Sequence, residues 1–292
     1  MAITVDRTGT LYVLNQSYGY GGGISVTEFD RGSIKPSRTI NGLYWGVTLA
    51  LDQSNNLYVA NCNTCVDDSR FDGQSRAQDS VTVYRANQTQ LLGTITQGIH
   101  KPQSLAFDPA GNLYVGNLGT SRNHPSVAVY APGSTSLAQN ITQGITRPEL
   151  LATDAAGDLF VANGFSEVLE YAPGSSKRLR RITDEIASPQ ALVVDASGML
   201  YVDNTDQYPA KGWVSVYAPG SSTSKYRIVS GINNPVALAL DGNDDLYVAN
   251  DEWGEPGRPG RIDLYAAHAR KPLQSIRGGH YGLPFALALG PG

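Results

Sequence analysis

Apolar residues in this chain fall in short runs that alternate with polar positions, and the runs return on a regular beat. The phrase Asp-x-x-Gly-x-Leu-Tyr-Val-x-Asn, with close substitutions, occurs six times. Its opening aspartates are Asp6, Asp52, Asp108, Asp154, Asp195 and Asp241, and its closing asparagines are Asn15, Asn61, Asn117, Asn163, Asn204 and Asn250. Each phrase is preceded by a run such as Leu105-Ala-Phe and followed, after a loop, by a second such as Val127-Ala-Val-Tyr130. A polar turn and a third run, such as Asn140-Ile-Thr, complete the unit. Runs rich in β-branched and aromatic residues with period-2 character predict strands. Asp-x-x-Gly predicts a turn, because the carboxylate accepts backbone N–H groups and glycine takes a positive φ without strain.

Each unit therefore reads as four strands, A to D. The repeat aspartates are spaced 46, 56, 46, 41 and 46 residues apart. A period of about 40–50 residues built from four strands is that of a propeller blade. The expected fold is all-β: a six-bladed β-propeller of four-stranded antiparallel blades, closed by a terminal strand. The chain is expected to be a single domain, with blades at roughly 1–42, 43–100, 101–146, 147–187, 188–233 and 234–282. The last residues, Leu283-Pro-Phe-Ala-Leu-Ala-Leu-Gly-Pro-Gly292, form a seventh strand-A phrase, while Ala2–Asp6 already supplies the first. One copy should close the ring, since closure removes exposed sheet edges. The other is surplus, is available for self-association, and leaves a seventh blade as the alternative.

Tyr12, Tyr58, Tyr114, Phe160, Tyr201 and Tyr247 recur on strand B, and Phe29, Tyr84, Tyr130, Tyr171, Tyr217 and Tyr265 on strand C. Periodic large side chains are expected to fill the wedges between blades. The repeat aspartates and asparagines are expected to serve as turn and strand-end caps.

A net charge of -4 gives no electrostatic footprint for nucleic acid, and no apolar stretch has the length of a membrane span. No basic region followed by an apolar one opens the chain. With 16% charged residues and many Ser, Thr, Asn and Gly, the composition leans toward a secreted or periplasmic protein.

In such a fold the A–B and C–D turns share one face and the B–C and D–A connections the other. The first is uniform and the second varies in length, which is where binding function usually resides. Trp45, Trp213 and Trp253 all map to that variable face, with Tyr18, Tyr20, Tyr44, Phe71, Phe165, Tyr208 and Tyr281. Clustered aromatics suit a sugar ring or a peptide.

The pieces Pro102–Asp108 and Gly111–Val115 resemble NHL-type propellers and the wider group holding gluconolactonase/SMP-30 and strictosidine-synthase-like enzymes. The resemblance covers essentially the whole chain and implies the propeller. For the gluconolactonase branch it also implies a divalent cation held where the chain enters strand A. The corresponding residues here are Val47, Gln103, Glu149, Gln190, Val236 and Phe285. A hard cation wants several oxygen ligands, preferably carboxylates, and this ring departs from that cage. No cofactor is therefore expected, and calcium is the only candidate ion.

The leading expectation is a non-catalytic binding or assembly module that presents the B–C/D–A face to a protein or glycan. Its expected ligand-binding residues are Trp45, Gln103, Glu149, Gln190, Trp213, Trp253 and Tyr281. The alternative is a lactonase- or lyase-type enzyme with Glu149, His100 and His280 as general acid–base candidates at the channel mouth; against it, Arg147 is placed to pair with Glu149. Cys62-Asn-Thr-Cys65 is half a zinc site at most and is expected to form a disulfide at the start of the longest loop. Asp67, Asp68, Asp72 and Asp79 in that loop lack the order of a calcium-binding loop and read as solvated. The basic run Lys177–Arg181 is expected on the outer strand of blade four, where charge discourages edge-to-edge pairing.

Overall fold

The computed structural model describes residues 2–15, 24–43, 45–63, 65, 78–205, 212–251, 260–277 and 286–289. Its strands form six four-stranded antiparallel sheets, the blades of a propeller. Blade one holds β1 (Ala2–Val5), β2 (Leu11–Asn15), β3 (Ile24–Phe29) and β4 (Arg38–Leu43). Blade two holds β5 (Gly46–Leu51), β6 (Leu57–Asn61), β7 (Ser80–Tyr84) and β8 (Leu91–Ile95). Blade three holds β9 (Pro102–Phe107), β10 (Leu113–Asn117), β11 (Ser126–Tyr130) and β12 (Leu137–Ile141). Blade four holds β13 (Pro148–Thr153), β14 (Leu159–Asn163), β15 (Val168–Tyr171) and β16 (Arg178–Ile182). Blade five holds β17 (Leu192–Val194), β18 (Leu200–Thr205), β19 (Gly212–Tyr217) and β20 (Ser224–Ile228). Blade six holds β21 (Pro235–Leu240), β22 (Leu246–Asn250), β23 (Arg261–Tyr265) and β24 (Gln274–Arg277).

The chain divides into two compact units, Met1–Leu151 with Gly174–Lys177, and Ala152–Pro173 with Arg178–Gly292. In the first, the A strands β1, β5 and β9 pack side by side. In the second, β17 packs beside β21.

Every A–B turn is built by the same chemistry. Asp52 Oδ1 accepts the N–H groups of Ser54 and Asn56, each at 2.8 Å, and Asp195 Oδ1 does the same for Ser197 and Met199 at 2.9 Å. The fourth residue of each turn has positive φ: Gly9, Gly111, Gly157 and Gly198 at 80–89°, and Asn55 and Asp244 at 61°. Asn and Asp replace glycine only because their short polar side chains tolerate this region. The repeat aspartates are thus turn caps, as expected.

The strand-end asparagines also have structural partners. Asn117 Oδ1 accepts the His100 N–H at 3.0 Å, and Asn204 and Asn250 accept those of Ala187 and Asn233 at 2.7 and 2.8 Å. These bonds tie the end of strand B to the D–A connection, so both lie on one rim.

The aromatic repeats are largely buried, with Phe29 and Tyr247 only partly so. The strand-C tyrosines do more than fill space. Tyr130 donates its hydroxyl to the Gln97 carbonyl at 2.5 Å, Tyr217 to Asp184 at 2.5 Å and Tyr265 to Ser230 at 2.7 Å. Each acceptor belongs to the preceding blade, so the tyrosine fastens two sheets together. Burial pushes the Tyr58 and Tyr114 hydroxyls of strand B up to about 12, keeping them neutral.

Closure by a sequence-distant strand is not what the described residues show. β1 pairs with β2, Ala2 opposite Leu14 through Val5 opposite Leu11, so blade one is built from contiguous chain. Of the seventh phrase, Ala286–Leu289 lie in no strand, and 283–285 and 290–292 fall outside the described residues. The Asp6 turn makes the β1–β2 pairing local, so it needs no long loop to close.

Candidate functional site

The variable rim can now be assembled from its parts. Where the chain enters strand A, the residue before the first inner position adopts a left-handed conformation in several blades: Trp45 (φ 42°), Lys101 (53°), Ser188 (46°) and Asn234 (51°). The turn is held by the residue after strand B. Cys62 donates its N–H to the Trp45 carbonyl, Leu118 to Lys101 and Asp251 to Asn234, each at 3.0 Å. Lysine, serine and asparagine bear this geometry at modest cost. A bulky tryptophan there is an outlier. It is also 41% exposed.

Beneath Trp45, Cys62 and Cys65 form a disulfide with Cα atoms 5.3 Å apart, and Cys62 is fully buried. Gln103, the second residue of β9, donates from Nε2 to Cys65 Sγ at 3.6 Å and to the Pro102 carbonyl at 3.2 Å. Trp45, the disulfide and Gln103 therefore form one connected group. Replacing both cysteines by serine should cost about 2 kcal/mol, the loop-entropy value for so short a closure. Thermal unfolding with and without reductant checks this, the double variant matching reduced wild type.

The other expected residues behave differently. Glu149, second in β13, accepts from Arg147 Nε at 2.5 Å and is half-buried. The His100 ring faces Asn123 Nδ2 at 3.5 Å, so Glu149 and His100 are engaged separately rather than with each other. Gln190 is exposed, and its Nε2 donates to the Ser188 carbonyl at 3.2 Å. Val47 and Val236 stand at the same inner place and offer no polar atom. Trp253, His280, Tyr281 and Phe285 lie outside the described residues.

Trp213, expected on the variable face, is part of a strand. It lies within β19, opposite Asn204, because the strand pairing continues out to Thr205 and Gly212. Its Nε1–H donates to Ser215 Oγ at 2.9 Å and to the Glu185 carbonyl at 3.3 Å. The Arg227 guanidinium covers the ring at 4.7 Å. With edge and face both engaged, Trp213 works as a packing peg.

Asp79 is also corrected. It is buried, and its Oδ2 accepts the Lys101 N–H at 2.7 Å, capping the strand-A entry rather than facing solvent. Asp67, Asp68 and Asp72 fall outside the described residues. Among the described residues no cluster of three or more His, Cys, Asp or Glu is disposed to hold a metal, and no helix is long and apolar enough to cross a membrane. In the basic run, Arg180 pairs with Glu170 and Arg181 with Glu167, so these charges are satisfied within the blade.

Sequence reasoning missed Asp203. It sits fully buried on β18, and burial raises its carboxyl to about 7. One signal was available: the equivalent positions are Leu14, Ala60, Gly116, Ala162 and Ala249.

Six such sheets define the class, an all-β propeller. No family model matches the chain, and no curated protein matches its sequence. Among solved structures 975 chains match the fold, so the architecture by itself selects no activity. One of them, from "Crystal Structure of Mitotic Checkpoint Complex", is similar with a TM-score of 0.75 over 99% of this chain and 80% of its own, at 12% identity. A likeness at that identity speaks for the fold alone.

Proposed function

We propose that this propeller is a non-catalytic binding or assembly module that presents its B–C/D–A rim to a protein or glycan. Trp45 carries the reading. A large aromatic residue is held partly exposed in a backbone conformation that costs energy, by a hydrogen bond from a disulfide-bonded cysteine. Strain of this kind is kept where the surrounding structure enforces it, and such places are often functional. An indole standing off a rim is a natural platform for a sugar ring or an aliphatic side chain.

The enzyme reading has less support. Its only expected carboxylate, Glu149, is occupied by Arg147, and the strand-A entries bring two valines and two amides where a metal cage needs carboxylates. We accordingly favour kinship with NHL-type binding propellers over the gluconolactonase branch. The disulfide accords with an extracytoplasmic location. The similar chain noted above comes from a complex by its title, and assembly is a role this fold can serve.

Trp45→Asn separates binding from stability. Asparagine tolerates the left-handed region and is what blade six uses at Asn234. The relief of about 1 kcal/mol offsets the packing lost from the indole, so the melting temperature should hold or rise. Binding on glycan and peptide arrays should fall at least tenfold for every feature the wild type captures. Undiminished binding by the variant sinks the proposal.

A further inference from the structure

Asp203 is the fourth residue of β18, at a position that elsewhere faces the strand-A entry of the following blade. A Cβ added at Gly116 would lie 2.5 Å from Ser104 Oγ of its own blade and 2.8 Å from the Pro148 carbonyl oxygen of the next, and one at Gly46 would lie 2.8 Å from Leu14 Cδ1. Such a place takes glycine, alanine or a fitted leucine. A carboxyl group there must find its own partners.

It finds them in its own blade. Asp203 Oδ1 accepts the N–H of Gln190 at 2.7 Å and that of Ala191 at 2.6 Å. Oδ2 is buried and has no hydrogen-bond partner among the described residues. Strand A is also shorter here. In blades three, four and six it runs six residues from its proline, as Pro102–Phe107, Pro148–Thr153 and Pro235–Leu240; in blade five it is only Leu192–Val194. The Ala191 carbonyl still accepts the Asp203 N–H at 3.1 Å, but the Ala191 amide goes to the Asp203 side chain. Gln190 stands where Gln103 and Val236 have no partner in register, and its amide goes to the same carboxylate.

We propose that Asp203 is a proton-operated latch on the entry to strand A of blade five. Ionised, it holds the Gln190 and Ala191 amides; protonated, it releases them and frees the segment that carries the exposed Gln190. A carboxylate accepts these bonds about twice as strongly as a neutral carboxyl does, and a proton taken by the oxygen without a partner leaves Oδ1 a neutral, weaker acceptor.

The surroundings leave the titration to burial. The strands packed against Asp203, β17, β19 and β21, read LVV, GWVSVY and PVALAL and carry no charged side chain. The connection before β17 carries two acids. The Asp184 carboxylate accepts the Ser224 N–H at 2.8 Å, and Glu185 is paired with Arg227. Desolvation outweighs the two N–H donors and sets the carboxyl to about 7, within the physiological range.

Nuclear magnetic resonance of the intact chain tests the latch. The Asp203 carboxyl carbon and the Gln190 and Ala191 amides should titrate together with a midpoint near 7, and exchange protection of the two amides should fall at least tenfold below it. The amides of Ser104, opposite Gly116, and of its neighbour Gln103 should not move. Asp203→Asn should abolish the amide titration, and if that variant fails to fold the wild-type titration decides alone. A carboxyl midpoint in the ordinary range near 4, or amides that keep their protection at low pH, overturns the proposal.

Discussion

Arg180→Ala is expected to destabilise the fold by roughly 3–5 kcal/mol, the usual cost of leaving a buried ion without its partner. Glu170 on β15 stands directly opposite Arg180 on β16. The guanidinium reaches the carboxylate through Nε at 2.5 Å and through Nη2, with side chains only 7% and 14% exposed. Burial already raises the Glu170 carboxyl even with Arg180 present. Removing the arginine raises it further. A folded-state pKa above the unfolded value means stability is lost as pH rises through it, so the deficit should be larger at pH 8 than at pH 4.

Replacing both partners should do far less harm. The same cross-strand place holds Val83 with Gly93, Val129 with Gln139, Val216 with Tyr226 and Leu264 with Gln274; only blade one repeats the ion pair, as Glu28 with Arg38. The double variant Glu170→Val, Arg180→Gln copies blade three. It should fall within about 1 kcal/mol of wild type or exceed it, since well-packed apolar replacements of buried pairs are often neutral or stabilising. Urea unfolding of the four species gives the cycle. An alanine variant as stable as wild type would show that the pair is solvated after all.

The second large effect is on pH dependence. Burial pushes the Asp203 carboxyl up to about 7 in the fold, against about 3.9 in the unfolded chain. Below pH ~4 the group is protonated in both states and imposes no pH-dependent cost. As pH rises toward 7 the unfolded chain ionises first, and the fold loses up to about 4 kcal/mol. Wild type should therefore lose stability relative to Asp203→Asn across this window, with the difference levelling off above pH 8. The comparison with the variant matters, because acids such as Asp6, held below their usual range by Thr8 and Thr10 against the effect of burial, slope the other way. The amide of the variant leaves its own N–H₂ without a partner at every pH, so the change of the difference with pH carries the result. Parallel stability curves for the two proteins would refute the assignment.

Much of the architecture was legible because its causes are local. An aspartate two and four residues before the amides it caps, and a Gly, Asn or Asp tolerant of positive φ, make the same turn wherever they occur. The short β-branched and aromatic runs then mark the strands, of which the central ones are buried on both faces. The disulfide was legible for the same reason, the two cysteines being three residues apart. The rim was harder. Trp213 reads as an aromatic of the variable face, yet cross-strand pairing draws it and Gly212 into β19. Asp79 reads as solvated among its acidic neighbours, yet the Lys101 amide, 22 residues away, buries it.

The sequence by itself determined the four-strand unit, its six-fold repetition and the turn that starts each hairpin, because these depend on residues within a few positions of one another. Tertiary structure alone decided that Trp45 stays exposed while Trp213 packs under Arg227, that Asp79 caps a strand-A entry, and that Asp203 holds two amides of its own blade. Those outcomes depend on segments that come together only on folding, and no spacing along the chain encodes that.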